Sequence, residues 1–371
     1  NPLIIGGFSA DQAAVDVDGG WLPNAQVAAV TALVGGLMTI AMGLVANVPF
    51  GLAAGLGINS FLAFTLVGEL TWPEAMGLVV VNGVLIVVLS VTGLRRRIFE
   101  AIPAELKSAI AVGVGLFIAF IGFVDSGFVR TTELASPPLQ LGEGGSITAL
   151  PTIVFLVALA IMGILVARRV RGALLIGIVV ATVLAIAAQA LWPVGPAFEA
   201  GVGGWNLAAP ALPTALVSLP DLSLVGQVDP FGAFARVGPV AASMLVFTLF
   251  FLNFFDAMGS MTGLAKQAGI AAPDGTFPGL KRALVVEGVG AIAGGGASAS
   301  SNTVFIDSAA GIGEGARTGL ASVVTGALFL AAMFLTPLTQ IVPLEVAAAT
   351  LVIVGALMMS QIRDIDFTDF R

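Results

Sequence analysis

Apolar residues occur along this chain in blocks close to the roughly 20 residues that a helix needs to cross a bilayer, and clusters of Pro, Gly, Asn and charge separate them. The blocks lack period-2 alternation, and backbone amides in lipid must be paired within their own segment, so the pattern predicts helices rather than a barrel. After a short apolar stub, about eleven membrane segments are expected, near residues 27–46, 50–68, 74–93, 104–124, 149–167, 173–191, 238–264, 280–296, 302–313, 318–336 and 345–362. Helix-ending residues sit at their boundaries: Asn47 with Pro49, Trp72 with Pro73, Pro103, Pro193, Pro239, Pro337 and Pro343. The stretch 193–237, rich in Pro, Gly and Leu, is the longest outside the membrane and has room for one short interfacial helix. The expected fold class is an all-α polytopic membrane protein without a soluble domain.

Composition narrows the chemistry. The chain is 58% hydrophobic and 10% charged, with mean hydropathy +1.05, more apolar surface than a soluble core of this size could hide. Cysteine, histidine and tyrosine are all absent. That removes thiol chemistry, disulfides, Cys/His metal sites and imidazole proton relays, and leaves proton handling to carboxylates. No cofactor is called for. The formal charge of -7 reads as solvated acidic loops, and no nucleic-acid footprint is present.

The chain begins NPLII, which reads as the tail of an apolar segment, and ends with RDIDFTDFR directly after an apolar helix. Truncation at both ends is the expectation. With the stub counted as the first span, one side collects Arg95, Arg96, Arg97, Lys107, Arg168, Arg169, Arg171, Lys266, Lys281, Arg282, Arg317, Arg363 and Arg371, and the other only Arg130 and Arg236. Thirteen against two is a strong positive-inside bias. It places the triple-Arg connection in the cytoplasm and the loop of Asp11, Asp16 and Asp18 outside.

Two segments break the uniform pattern. GLAAGLGINSFLAF, residues 51–64, and GGGASASSNTVFIDSAAGI, residues 294–312, are rich in Gly and Ser and polar at their centres. They stand third and tenth in the span count, at matching positions of two halves, which is the sequence mark of an inverted-repeat transporter with its site at the midplane. The alternative is a Gly/Ser face for close helix packing. Asp256 and Asp307 sit inside an apolar span and a Gly/Ser-rich segment respectively. A carboxylate at membrane depth costs a few kcal/mol or more unless neutralised, paired or wetted. Both therefore read as lining a substrate or proton path, against the alternative of acids buried in helix packing with Ser or Thr partners.

FFDAMGSMTGLAKQAG at 254–269, SNTVFIDSAAGIGEGARTGL at 301–320, GLGINSFLAF at 55–64, and TGLRRRI with IPAELKSAI at 92–110 resemble the purine permeases of the AzgA-like branch of the nucleobase-cation symporters. The resemblance runs through nearly the whole chain. It implies two inverted sevens of spans, with a core domain from 1–100 and 238–336, a gate domain from 101–192 and 337–371, and the loop 193–237 between them. It also implies that Asn59, Asp256 and the tenth-span acid, Asp307, hold the purine. An ionised carboxylate accepts two N-H bonds and an amide both donates and accepts, so this trio can read a purine edge.

This chain departs from the family where Asp307 stands in place of the usual Glu, which shortens the reach by about one C-C bond and favours a water-bridged contact. Around Asp256 the family's Asp-Thr-x-Gly-Thr reads Asp256, Ala257, Met258, Gly259, Ser260. Phe61, Phe255 and Phe305 flank the polar residues and could stack on a base or simply pack. Ser301, Asn302 and Thr303 could touch the ligand or cap locally. Glu287 is expected to snorkel or pair with Lys281 or Arg282, and Glu314 to pair with Arg317.

The resulting expectation is a multi-pass transporter of the cell membrane that imports hypoxanthine, guanine or adenine by proton symport through Asp256 and Asp307, with Na+ the lesser candidate as coupling ion and room for a homodimer. The runner-up is uracil, xanthine or an anion on the same fold, though an anion carrier is expected to place a basic residue at the breaks. From another class come a membrane enzyme and a non-transporting receptor. An enzyme needs a second reactive group beside the acids, and none of His, Cys or Tyr exists here.

Overall fold

A computed structural model of the protein describes residues 1–2, 4–7, 13–101, 104–132, 138–142, 145–170, 172–195, 204–206, 209–210, 216–272 and 276–364. Asp11, Pro103, Arg171 and Arg371 lie outside the described residues. In chain order the elements are β1 (Gly6–Gly7), β2 (Leu22–Pro23), α1 (Asn24–Ala41), β3 (Leu52–Ala54), α2 (Leu56–Phe61), α3 (Trp72–Val91), α4 (Leu94–Ala101), α5 (Ala104–Asp125), β4 (Val129–Thr131), β5 (Leu139–Leu141), α6 (Leu150–Ala167), α7 (Ala173–Leu191), α8 (Gly232–Arg236), α9 (Pro239–Gln267), α10 (Leu280–Gly296), β6 (Asn302–Val304), α11 (Ser308–Gly313), α12 (Gly319–Ala332) and α13 (Leu344–Met359). The π-helical turns Met42–Ala46 and Leu62–Leu66 prolong α1 and α2, and the 3-10 turns Met333–Gln340 and Ser360–Asp364 follow α12 and α13.

Among the described residues, six helices are long and apolar enough to span a membrane: α1 and α12 with their extensions, α3, α6, α7 and α9. Leu56–Leu66, Gly115–Asp125 and Leu344–Leu357 are shorter apolar helices. Large apolar side chains such as Phe64, Leu175, Val240 and Leu320 stand on the surface. In water such a skin would aggregate; against lipid tails it is solvated. The triple-Arg stretch departs from the expected connection, because Leu94–Ala101 is helical and Arg95 is fully buried. The stretch 193–237 carries the short helix α8 near its end.

The chain divides into two compact units. The first is built mainly from Asn1–Val112 and Ser218–Thr336. Here α3 packs along α10, and α1 along α12. The second pair meets across glycines spaced seven apart on both helices, Gly36 and Gly43 facing Gly326 and Gly319. A methyl group at Gly43 would strike the Gly319 carbonyl, and one at Gly326 the Gly36 carbonyl, so backbone lies on backbone. In the same unit Arg236 pairs with Glu74 at 2.8 Å and Asp18 at 2.9 Å. Thr71 and Glu74 close a capping box on α3.

The second unit is built from Gly113–Val217 and Pro337–Ser360. Its centre joins Phe155, Met162, Ala181, Trp205 and Val346. Trp205 is anchored by its indole N-H on the Gln189 side-chain oxygen at 2.9 Å, and Glu345 accepts from the Asn206 backbone N-H at 2.9 Å.

Candidate functional site

The two broken segments meet. β3 and β6 pair antiparallel, with Leu52 opposite Val304, Ala53 opposite Thr303 and Ala54 opposite Asn302. The pairing extends outward through Gly55 N-H to Ser301 C=O at 3.0 Å and Phe305 N-H to Gly51 C=O at 2.9 Å. Each strand then turns into a short helix, β3 into α2 and β6 into α11.

Extended backbone inside a membrane survives only where every polar group finds a protein partner, since each orphan costs several kcal/mol. Leu52 and Val304 form a non-hydrogen-bonded pair of the ladder, so the amide groups of Leu52 point away from β6. Thr39 on α1 takes both: its hydroxyl accepts from Leu52 N-H at 2.8 Å and donates to Leu52 C=O at 3.0 Å. Ser322 on α12 serves the Val48 and Phe50 carbonyls at 2.8 and 3.0 Å. Ser308 accepts from Gly51 N-H at 2.8 Å and donates to Phe305 C=O at 2.7 Å.

Helix α9 lies against α2, β6 and α11. It presents Asn253 and Asp256, three apart and hence on one face, to Ser301 and Thr303, two apart and hence on one side of the extended segment. Thr303 Oγ1 donates to Asp256 Oδ2 at 2.8 Å, and Asn253 Nδ2 donates to Ser301 Oγ at 2.8 Å. Asn253 is fully buried and was not singled out in the sequence, although its i, i+3 spacing to Asp256 in FFLNFFDAMGS was visible there.

Asn59, on α2, is fully buried, and neither its Oδ1 nor its Nδ2 has a hydrogen-bond partner in the protein. A buried amide without a partner is rare and points to a ligand or water that completes it. Asn302 is likewise buried and unpartnered, but it alternates to the other side of β6 and lies against Gly290 of α10. Asp307 immediately precedes α11 and, like Asp256, Phe61, Phe255 and Phe305, is only partly buried. The structure thus bonds Thr303 to Asp256 and places Asn59 on α2 and Asp307 just before α11, the two short helices packed against α9.

Glu287 requires a correction. Its partner is neither Lys281 nor Arg282 but Arg95, at 2.7 Å, with the two side chains 1% and 0% exposed. Lys281 and Arg282 stand six and five residues before it on α10, whereas helix neighbours share a face at three or four. Arg95 reaches Glu287 because the chain turns at Gly93, in the left-handed region with φ 78°, and restarts as α4. Arg317 donates to the carbonyls of Ile312, in the last turn of α11, and of Ala316 beyond it.

Residues 15–371 match the Permease family (Xan_ur_permease). The chain is 32% identical to the adenine permease AdeP of Escherichia coli, with 100% of this chain and 75% of that protein covered. It is 33% identical to the guanine/hypoxanthine permease PbuG of Bacillus subtilis, with 92% and 72% covered. Among solved structures, the transmembrane domain of the cyanobacterial bicarbonate transporter BicA superposes with a TM-score of 0.58 at 14% identity, covering 90% of this chain and 88% of that domain. At that identity the likeness is one of fold.

Proposed function

Because the chain belongs to this permease family, whose members are multi-pass membrane transporters and not enzymes, we propose that it imports purine bases by proton symport. The observation that carries this reading is the buried, unpartnered amide of Asn59 on a helix packed against the one that holds the Asp256–Thr303 pair. A purine edge offers adjacent N-H donors and ring-nitrogen or carbonyl acceptors in one plane. Asn59 supplies one donor and one acceptor, Asp256 a carboxylate fixed by Thr303, and Asp307 a second carboxylate whose short side chain reaches the base through a water. Phe61 and Phe305 stack on the faces of the ring.

Hypoxanthine is uncharged near neutrality, so coupling lies on the protein side. Asp256 and Asp307 take up the proton from outside and release it inside. The unit that carries the crossed strands acts as the core and the other as the gate, in two inverted repeats of seven spans. An anion on the same fold is the weaker reading, because the buried cation nearest α9, Arg95, is already paired with Glu287.

Uptake of radiolabelled hypoxanthine in cells expressing the full-length protein, competed by a panel of purines, pyrimidines and anions, tests this reading. Competition by guanine and adenine but not by uracil or bicarbonate is the expected outcome. Competition by uracil alone, or no uptake, refutes it.

A further inference from the structure

Ser298, Ser300, Ser301 and Thr303 set four buried hydroxyls along the segment that leaves α10 and becomes β6. At one end, Ser298 lines a cavity of about 350 Å³ with Asp16 and Trp72, and the exposed Gly20, Ser223 and Gln227 carry that cavity to the surface. The charge bias places this face, with the Asp16 loop, outside. At the other end, the Thr303 hydroxyl donates to Asp256 Oδ2 at 2.8 Å.

Between the two ends, Asn253 Nδ2 donates to Ser301 Oγ at 2.8 Å. A hydroxyl oxygen that takes an N-H on one lone pair keeps the other to accept and its own hydrogen to donate. Two buried atoms here, Ser300 Oγ and Asn253 Oδ1, have no hydrogen-bond partner in the protein. Such atoms mark places that internal water completes. Ser301 and Thr303, two apart on an extended strand, stand about 6.6 Å from each other, too far for a direct bond and within reach of one bridging water. Asn253, three residues before Asp256 on the same face of α9, offers that water an acceptor. Ser298 and Ser300 also hold left-handed backbone, with φ 54° and 65°, where glycine fits without strain.

We propose that this line of hydroxyls is the route by which an external proton reaches Asp256. The route deepens the symport reading and rests on it. A hydronium in the cavity gives its proton to the first oxygen of the line. Each oxygen that gains a proton passes its own hydrogen to the next, through the bridging waters, until the Thr303 hydrogen crosses to Asp256. One H+ is added to the carboxylate, and every hydroxyl and water is left as it began. The chain contains no His, Tyr or Cys to carry the proton instead.

Of the elements packed against α9, α2 and β6 carry no charged residue, α3 and α8 carry Glu74 and Arg236, bound to each other, and Asp307 stands just before α11. Arg95, over the Phe254 ring, is paired with Glu287. Asp307 lies past the end of the line, four residues beyond Thr303, and is unaltered in every variant below.

The test uses the full-length protein in proteoliposomes, with two rates: uptake of labelled hypoxanthine driven by an imposed pH gradient, and exchange of labelled for unlabelled hypoxanthine at equal pH, which needs no net proton delivery. Ser301→Ala is expected to slow driven uptake by about 100-fold, the low end of what a positioned proton donor contributes. It should leave exchange close to the parent rate, and driven uptake should become more sensitive to D2O than in the parent. Ser301→Thr, which keeps the hydroxyl, should restore driven uptake. Equal slowing of uptake and exchange in Ser301→Ala assigns Ser301 to packing or to the base and overturns the route. Driven uptake at the parent rate means that the proton enters elsewhere, and overturns it as well. Should Ser301→Ala fail to insert, Ser300→Gly decides, because the backbone there already suits glycine: slowed uptake with intact exchange supports the route, and parent-like uptake refutes it. If a pH gradient does not drive uptake by the unsubstituted protein, the symport reading itself falls, and the route with it.

Discussion

Thr303 and Asp256 come from adjacent elements, Thr303 from the broken segment at β6 and Asp256 from the uninterrupted helix α9, and the Thr303 hydroxyl donates to the Asp256 carboxylate at 2.8 Å. In the proposed purine site that bond commits one oxygen of Asp256 and leaves the other to face the base. It also aims the free oxygen, because Thr303 sits on a strand whose register against β3 is fixed.

Thr303→Val keeps the shape and removes the donor. A lost hydrogen bond to a charged group costs about 1.5 to 3 kcal/mol, so hypoxanthine should bind roughly 10- to 150-fold more weakly. Thr303→Ser should bind within a few-fold of the unsubstituted protein. Isothermal titration of both purified variants checks this, and equal weakening in Ser and Val would assign Thr303 a packing role.

Asp256→Asn should abolish uptake while the protein still inserts and runs as a single species in detergent. Amide and carboxylate are nearly isosteric, but only the carboxylate has two acceptor oxygens and can cycle a proton. Uptake at the unsubstituted rate would remove Asp256 from the site.

Asp307→Glu restores the reach of the family's tenth-span acid and should tighten purine binding. The competing outcome is overpacking, at a cost of about 1 to 3 kcal/mol if the pocket has closed around the shorter side chain. Affinities for hypoxanthine, guanine and adenine decide between them. Unchanged affinity for all three, with an inert Asp307→Asn, would leave Asn59 and Asp256 as the ligands.

Thr39→Val strips both partners from the Leu52 amide groups at once. Each orphaned buried group costs about 1 to 3 kcal/mol, so thermal unfolding in detergent should shift clearly downward, with Thr39→Ser close to the parent. A Val variant as stable as the parent would mean that water replaces the hydroxyl.

The membrane segments could be read in the sequence because hydrocarbon enforces one periodicity over about 20 residues. The expected 149–167 and 173–191 are matched by α6 and α7 nearly residue for residue. The polar breaks at 51–64 and 294–312 stood out for the same reason, as places where that periodicity fails. That β3 and β6 would pair with each other, and in which register, was not legible: it depends on contacts more than 200 residues apart in the chain, as Gly51 with Phe305 shows. The Arg95–Glu287 pair was missed for a related reason. Arginines beside a span normally count as loop charges under the positive-inside rule, and nothing local in TGLRRRI marks the first as turning inward while Arg97 stays exposed.

The hydroxyls of Thr39 and Ser322 have a mechanical consequence. The Thr39 hydroxyl ties Leu52 of β3 to α1, the Ser322 hydroxyl ties Val48 and Phe50, just before β3, to α12, and those two helices meet backbone to backbone at their glycines. A displacement of the paired strands is therefore expected to carry α1 and α12 with it. On the proposed reading, in which this unit carries the base, a cross-link between α1 and α12 is expected to leave the rate of uptake unchanged.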